Sequence, residues 1–276
     1  MTFAGTVPGI LGTTINDASR LPDFLPGATQ VDPWTIAAPG SLLFSVPGVA
    51  RYLVSAGAVI EVEAVADADR SSVELFLYGS ARGSLIHQRG ELPLEAATLM
   101  APNGVAVAIS SYSGIGKSTV AAELCRRGWP LIADDITRLT WTGGRVVAWP
   151  SHNALKLWRD ACERMATDVQ SLPRARAGME KFYVKVPAAS APAMLQTIVR
   201  LRLGSQLRTA DVPVNHRMSL FSECAFRRRQ ITALGQQDSY ERILQQVART
   251  CRIVIVSGAR GVHIDSLVDH IAKAVS

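Results

Sequence analysis

The sequence predicts an α/β fold carrying an anion-binding core, with a β-rich N-terminal segment in front of it. Three observations predict it. Short apolar runs alternate with amphipathic helical stretches through the second half, the pattern of strands joined by helices. An apolar run, a glycine-rich turn and a helix follow one another in "GVAVAISSYSGIGKSTVAAELCRRG", residues 104–128. A further apolar run, "WPLIADD", ends in two aspartates, Asp134 and Asp135.

Residues 1–30 are rich in Gly, Pro, Thr and Asp and read as loop, in part disordered. "WTIAA", "SLLFSVP" and "AVIEVEAVA" carry β-branched residues with partial alternation and read as short strands. "VARYLVSAG" between them reads as a turn or more of helix. In 69–90, Val73, Leu77, Ala81 and Leu85 share one helical face, with Asp69 or Ser71 as cap and Gly90 as stop. These elements make 31–91 a β-rich segment plus a helix packed on the core.

The catalytic core is expected over 92–276. "LEAATLMA" and "GVAVAIS" read as strands joined by a Pro-Asn-Gly turn. Val120, Ala121, Leu124 and Cys125 share a helix face that Gly128 closes. "RLTWT" and "RVVAWP" flank Gly143 and Gly144 as a hairpin. "NALKLWRDACERMA" reads as helix, and "EKFYVKVP" and "LQTIVRLRLG" as extended. "DSYERILQQVART" and "HIDSLVDHIAKAV" read as helices around the strand "CRIVIVSG".

Composition narrows the function classes. The chain has 276 residues, 48% of them hydrophobic, and a formal net charge of +6. That charge suits anionic ligands. Aromatic residues do not interleave with basic ones, so no nucleic-acid surface is expected; "FRRRQ", Arg227 to Arg229, reads as a solvated face. No uncharged apolar run reaches membrane-spanning length, and the N-terminus lacks a secretory pattern. Cys125, Cys162, Cys224 and Cys251 are scattered, without metal-ligand spacing. A cytoplasmic location is the simplest expectation.

The turn "SYSGIGKST" carries the chemistry. Backbone N–H groups of such a turn and of the following helix point at phosphate oxygens. Gly114 and Gly116 permit close approach and positive φ. Lys117 offers charge to the β- and γ-phosphates, and the Ser118 hydroxyl is placed to ligate Mg²⁺. Ser113, Gly114, Ile115, Gly116, Lys117, Ser118 and Thr119 are therefore the expected nucleotide-binding residues, with ATP and Mg²⁺ as cofactors. The usual pattern has glycine where this chain has Ser111. Asp134 and Asp135 end a strand expected at the same sheet edge, where carboxylates hold metal and accept a proton from an attacking hydroxyl.

"SGIGKSTVAAELCRRGWPLIADDITRL" resembles the HPr serine kinase/phosphorylase family, which is related to ATP-type phosphoenolpyruvate carboxykinase. The match is strong over about 92–140 and weak beyond. "VPGVARYLV" and the run from "VELFLYGS" to "ATL" look more like the HPr-kinase-related kinases of lasso peptide biosynthesis. The resemblance implies a P-loop kinase core of the HPr kinase/PEP carboxykinase-like type. It implies that Lys117 grips phosphates, that Ser118 ligates the metal, and that Asp134 and Asp135 share the base and Mg²⁺ roles; Asp134 as base and Asp135 toward the metal is the division expected here. It also allows a homo-oligomer. A histidine of the family pattern is replaced here by Glu95 in "PLEAATL"; a glutamate there can serve as an acid–base group or a metal ligand, or mark an altered activity. "SLPRARAGMEKFYV" resembles a downstream segment of related kinases, which makes Arg176, Glu180 and Lys181 candidate phosphate or substrate contacts. Lys156 and Arg159, read on one helix, are further candidates to face the site. His87 reads as a structural histidine.

The expected function is transfer of the ATP γ-phosphoryl group to a Ser/Thr hydroxyl of a peptide or protein. The leading acceptor is the C-terminal serine of a lasso-type precursor, ahead of an HPr-like carrier, because the HPr-type regulatory domain has no counterpart. Kinase action on a small metabolite, a non-catalytic nucleotide-binding scaffold and slow NTP hydrolysis are the alternatives.

Overall fold

A computed structural model describes residues 2–165, 167–258 and 262–275. Met1 and Ser276, at the ends of the expected segments, and Ala166, at the end of one expected helix, lie outside the described residues. The chain forms two compact units, Met1–Pro93 with Arg174–Met179 and Phe226–Arg242, and Leu94–Pro173 with Glu180–Ala225 and Ile243–Ser276. The first unit thus takes two stretches from the region expected to form a single core.

The first unit is built on a six-stranded sheet. Strands Thr35–Ala38, Ser41–Val46, Ala50–Ser55 and Val59–Ala64 form an antiparallel meander. Ala50–Ser55 lies where helix was expected. Ala50, Tyr52 and Val54 alternate inward with half-buried Arg51, Leu53 and Ser55, and pairing on both sides enforces that period of two. Two edge strands come from the N-terminal stretch expected as loop. Thr14–Asp17 pairs in parallel with Val59–Ala64, and Thr29–Asp32 pairs with Thr35–Ala38. Their own residues are mostly exposed, so the ladder and not apolar content defines them.

The expected helix runs from Arg70 to Gln88, with a π-helical stretch over Leu77–Ala81. Asp69 caps it by accepting the Ser72 N–H at 2.8 Å. The Tyr52 hydroxyl donates to the Val73 carbonyl at 2.9 Å. Ser84 donates to Gln230 at 2.8 Å, and His87 Nε2 lies 2.7 Å from the Phe226 carbonyl. Burial lowers the His87 pKa to about 4. The Phe226 carbonyl then takes the Nε2–H of a neutral ring.

The second unit carries a mixed sheet in the order Leu131–Ala133, Ala97–Met100, Ala106–Ser111, Ala193–Arg202, Arg252–Ser257, Arg208–Asp211. Ala106–Ser111, Ala193–Arg202 and Arg252–Ser257 run parallel; the flanking pairings are antiparallel. Helices Lys117–Arg126 and Ile264–Val275 pack on one face against Leu99, Val107, Ile109, Val199, Leu201 and Val254. Ile136–Thr142 and Arg145–Trp149 form the expected hairpin, with Gly143 and Gly144 both at positive φ.

The segment expected as helix from Asn153 is a strand, Ala154–Trp158, followed by a short helix, Arg159–Arg164. It pairs with Lys181–Lys185, and that ladder decides between two readings of a short apolar run. Arg208–Asp211, Val214–Ser222 and Gln230–Ala233 are further elements without a distinct periodic signature. Among the described residues no helix is long and apolar enough to cross a membrane.

Candidate active site

Strand direction brings the motif residues to one edge. Leu131–Ala133 is antiparallel to Ala97–Met100, which is antiparallel to Ala106–Ser111. Two reversals restore the direction, so Asp134 and the glycine-rich turn leave the same edge. Glu95, just ahead of Ala97–Met100, enters there too.

Ser111 is the last residue of its strand and is buried, in register with Leu201. It is absent from the positive-φ residues, so the chain needs no glycine there. The unusual backbone comes later. Gly114 has φ 80° and Gly116 has φ 106°, and Lys117 opens the helix directly after. The turn borders a cavity of about 640 Å³ whose wall includes residues 111–120, Glu95, Asp135, Trp158 and Lys181. Those residues include every expected nucleotide-binding position from Ser113 to Thr119.

Asp135 is the centre of charge. Its Oδ1 accepts from Lys117 Nζ at 3.0 Å, and its Oδ2 lies 2.6 Å from Lys156 Nζ. Its backbone is left-handed, with φ 60°, a conformation that costs a non-glycine residue energy and is held by its surroundings. Burial alone would raise its pKa; Lys117, Lys156 and Lys181 outweigh that and hold it well below the carboxylate range. Burial likewise opposes the charge on both lysines, yet the carboxylates raise the pKa of Lys117 and of Lys156.

Asp134 faces elsewhere. It is 2% exposed, and its Oδ2 accepts the Lys156 backbone N–H at 2.8 Å. Its Oδ1 is buried with no hydrogen-bond partner among the described residues. Burial and the adjacent Asp135 raise its pKa. The cavity wall includes Asp135 and not Asp134, the reverse of what the proton-accepting role expected of Asp134 needs.

The other expected residues divide. Glu95 is exposed at the cavity wall, and its backbone is fixed by the Cys224 carbonyl at 2.7 Å and by the Ser110 hydroxyl at 3.0 Å. Lys181 lines the cavity with its Nζ 5.8 Å from the Trp158 ring centroid. Glu180 instead takes Arg159 Nε at 2.6 Å. Arg176 belongs to the first unit, where its guanidinium lies over Phe76. Lys156 reaches the centre from a strand and not from the expected helix. On that strand Leu155 and Leu157 point one way and Lys156 the other.

Ser118 and Asp135 put hard oxygen donors at the cavity wall. Such donors fit Mg²⁺, which keeps water and phosphate oxygens in most of its positions. Among the described residues no cluster of three His, Cys, Asp or Glu forms a protein-only metal cage.

No family model matches the chain, and no curated protein matches it. Among solved structures, the HPr(Ser) kinase/phosphatase from Coxiella burnetii aligns with 66% of this chain and 93% of its own, at 12% identity and TM-score 0.35. A likeness at that score decides neither fold nor function.

Proposed function

We propose that the chain is an ATP- and Mg²⁺-dependent kinase that phosphorylates a Ser or Thr hydroxyl of a peptide or protein. One observation carries the reading: Lys117, from the glycine-rich turn, and Lys156 converge on Asp135 at the wall of the cavity that the turn borders. A nucleotide-binding turn alone would serve a scaffold. Two cations and a carboxylate beside it are the parts that phosphoryl transfer uses.

In this reading the nucleotide phosphates lie against the backbone N–H groups of 113–119 and draw Lys117 away from Asp135. Lys156 and Lys181 face the transferring group and offset its charge. Ser118 and Asp135 would hold Mg²⁺, which would neutralise phosphate charge. Asp135, the carboxylate at the wall, is also the group within reach of an acceptor hydroxyl. Asp134, behind it, holds the Lys156 backbone. Glu180 and Glu95 remain candidates on the acceptor side.

The resemblance to lasso-pathway kinases makes the C-terminal serine of a precursor peptide the first acceptor to try. The test is transfer of label from γ-labelled ATP to a pool of serine-ending peptides, with wild type and Asp135→Asn. Label on a peptide with wild type alone supports the kinase and the carboxylate role. Tight ATP binding with no label on any peptide or on small hydroxylated metabolites would move the chain to the scaffold class.

A further inference from the structure

Arg200 is a buried cation that the phosphate-transfer reading does not use. It lies on the central strand Ala193–Arg202, in register with Ser110, one residue before the end of the strand that leads into the glycine-rich turn. It is 2% exposed. Its Nη1 donates to Ser110 Oγ at 3.0 Å, and its guanidinium carbon sits 4.3 Å from the Tyr112 ring centroid. Its Nη2 lies 3.8 Å from Glu223, the carboxylate that accepts the Tyr112 hydroxyl at 3.2 Å. Nε and Nη2 have no hydrogen-bond partner among the described residues.

Burying a guanidinium with so few partners is costly. A hydrophobic residue would fill a strand position at less expense. What the arginine adds is a flat cationic surface for the ring of Tyr112, the residue at which the chain leaves the strand and enters the turn. Tyr112 is itself 59% exposed, so burial does not fix its ring; Arg200 below and Glu223 beside it do.

We propose that Arg200 is a positioning residue for the phosphate-binding turn, acting through the Tyr112 ring to hold the entry of the turn in its phosphate-ready conformation. It rests on the reading of this turn as a nucleotide site. The turn departs from the usual pattern at Ser111, next to Tyr112, and the stacked pair anchors the chain where strand geometry ends. Arg200 is not among the residues that line the cavity.

The experiment measures the Kd of Mg·ADP by calorimetry, at a temperature where every variant is folded. The variants are Arg200→Gln, Arg200→Lys, Tyr112→Ala, Tyr112→Phe, the Arg200→Gln/Tyr112→Ala double and Lys117→Ala. Loss of the cation–ring contact should weaken binding about tenfold, a change on the order of 1 kcal/mol. Arg200→Gln and Tyr112→Ala should each show it, the double should be no weaker than the worse single, Tyr112→Phe should recover most of it, and Arg200→Lys, which keeps the charge without the flat face, should recover only part. Wild-type affinity in either single variant, or additive losses in the double, would overturn the proposal. If Arg200→Gln does not fold, the tyrosine pair decides: loss in Tyr112→Ala with retention in Tyr112→Phe supports the proposal, and equal affinities overturn it. Lys117→Ala separates the two readings, since unchanged ADP binding there would sink the nucleotide site itself.

Discussion

Lys156 Nζ lies 2.6 Å from Asp135 Oδ2, a contact between a strand residue and an aspartate held in left-handed backbone. Lys117 takes the other oxygen of the same carboxylate. Both lysines are nearly buried, so the three charges depend on one another more than surface ions would. When a phosphate competes for Lys117, Lys156 remains to stabilise Asp135.

Lys156→Met should therefore separate binding from turnover. ADP affinity should stay within about threefold of wild type, while phosphoryl transfer falls on the order of a hundredfold. Lys117→Met should lose the affinity first. Isotherms and single-turnover rates on both variants check this, and equal losses of ADP affinity would remove the distinction between the lysines.

The two aspartates should respond oppositely to neutralisation. Asp135→Asn leaves two buried lysines without their shared carboxylate and should lower stability by about 2 kcal/mol, with transfer lost. Asp134→Asn removes a carboxylate whose ionisation is already disfavoured and keeps an acceptor for the Lys156 N–H. Its melting midpoint should stay within about 3 °C of wild type. Thermal melts of the pair give the answer; a collapse of Asp134→Asn beside an intact Asp135→Asn would reverse the assignment.

Ser111→Gly should restore the usual loop pattern and gain nothing. Ser111 already has strand backbone, and glycine there adds freedom to the unfolded chain. The expectation is unchanged ADP affinity and a loss of about 0.5–1 kcal/mol in stability. A clear gain in affinity would show that the serine side chain obstructs the cradle.

His87 should make the first unit sensitive to acid. Its folded pKa is lowered from 6.5 to about 4, so the unfolded chain binds a proton before the folded one does. The stability it contributes is whole above pH 6.5 and is lost as pH falls from there toward 4. The difference is on the order of 3 kcal/mol at its limit. Denaturant midpoints between pH 7.5 and pH 4.5 should show that slope in wild type and a shallower one in His87→Gln.

The strand–turn–helix around Lys117, the Gly143–Gly144 hairpin and the capped helix at Asp69 were legible in the sequence alone. Each is written in neighbouring residues: glycines where φ must be positive, an aspartate before a free N–H, apolar spacing of one period. The common edge shared by Asp135 and the turn also follows from the order of strands. What tertiary structure decided was pairing and sidedness. "ALKLW" is too short for its period to separate strand from helix, and only the partner strand Lys181–Lys185 turns Lys156 toward Asp135. Thr14–Asp17 has almost no apolar content of its own and becomes a strand because Val59–Ala64 presents an open edge. Neighbouring aspartates look alike in sequence, yet Asp134 is enclosed, while Asp135, in left-handed backbone, lines the cavity. The place of Arg200 beneath Tyr112 depends on parallel pairing between distant strands, which no local pattern records.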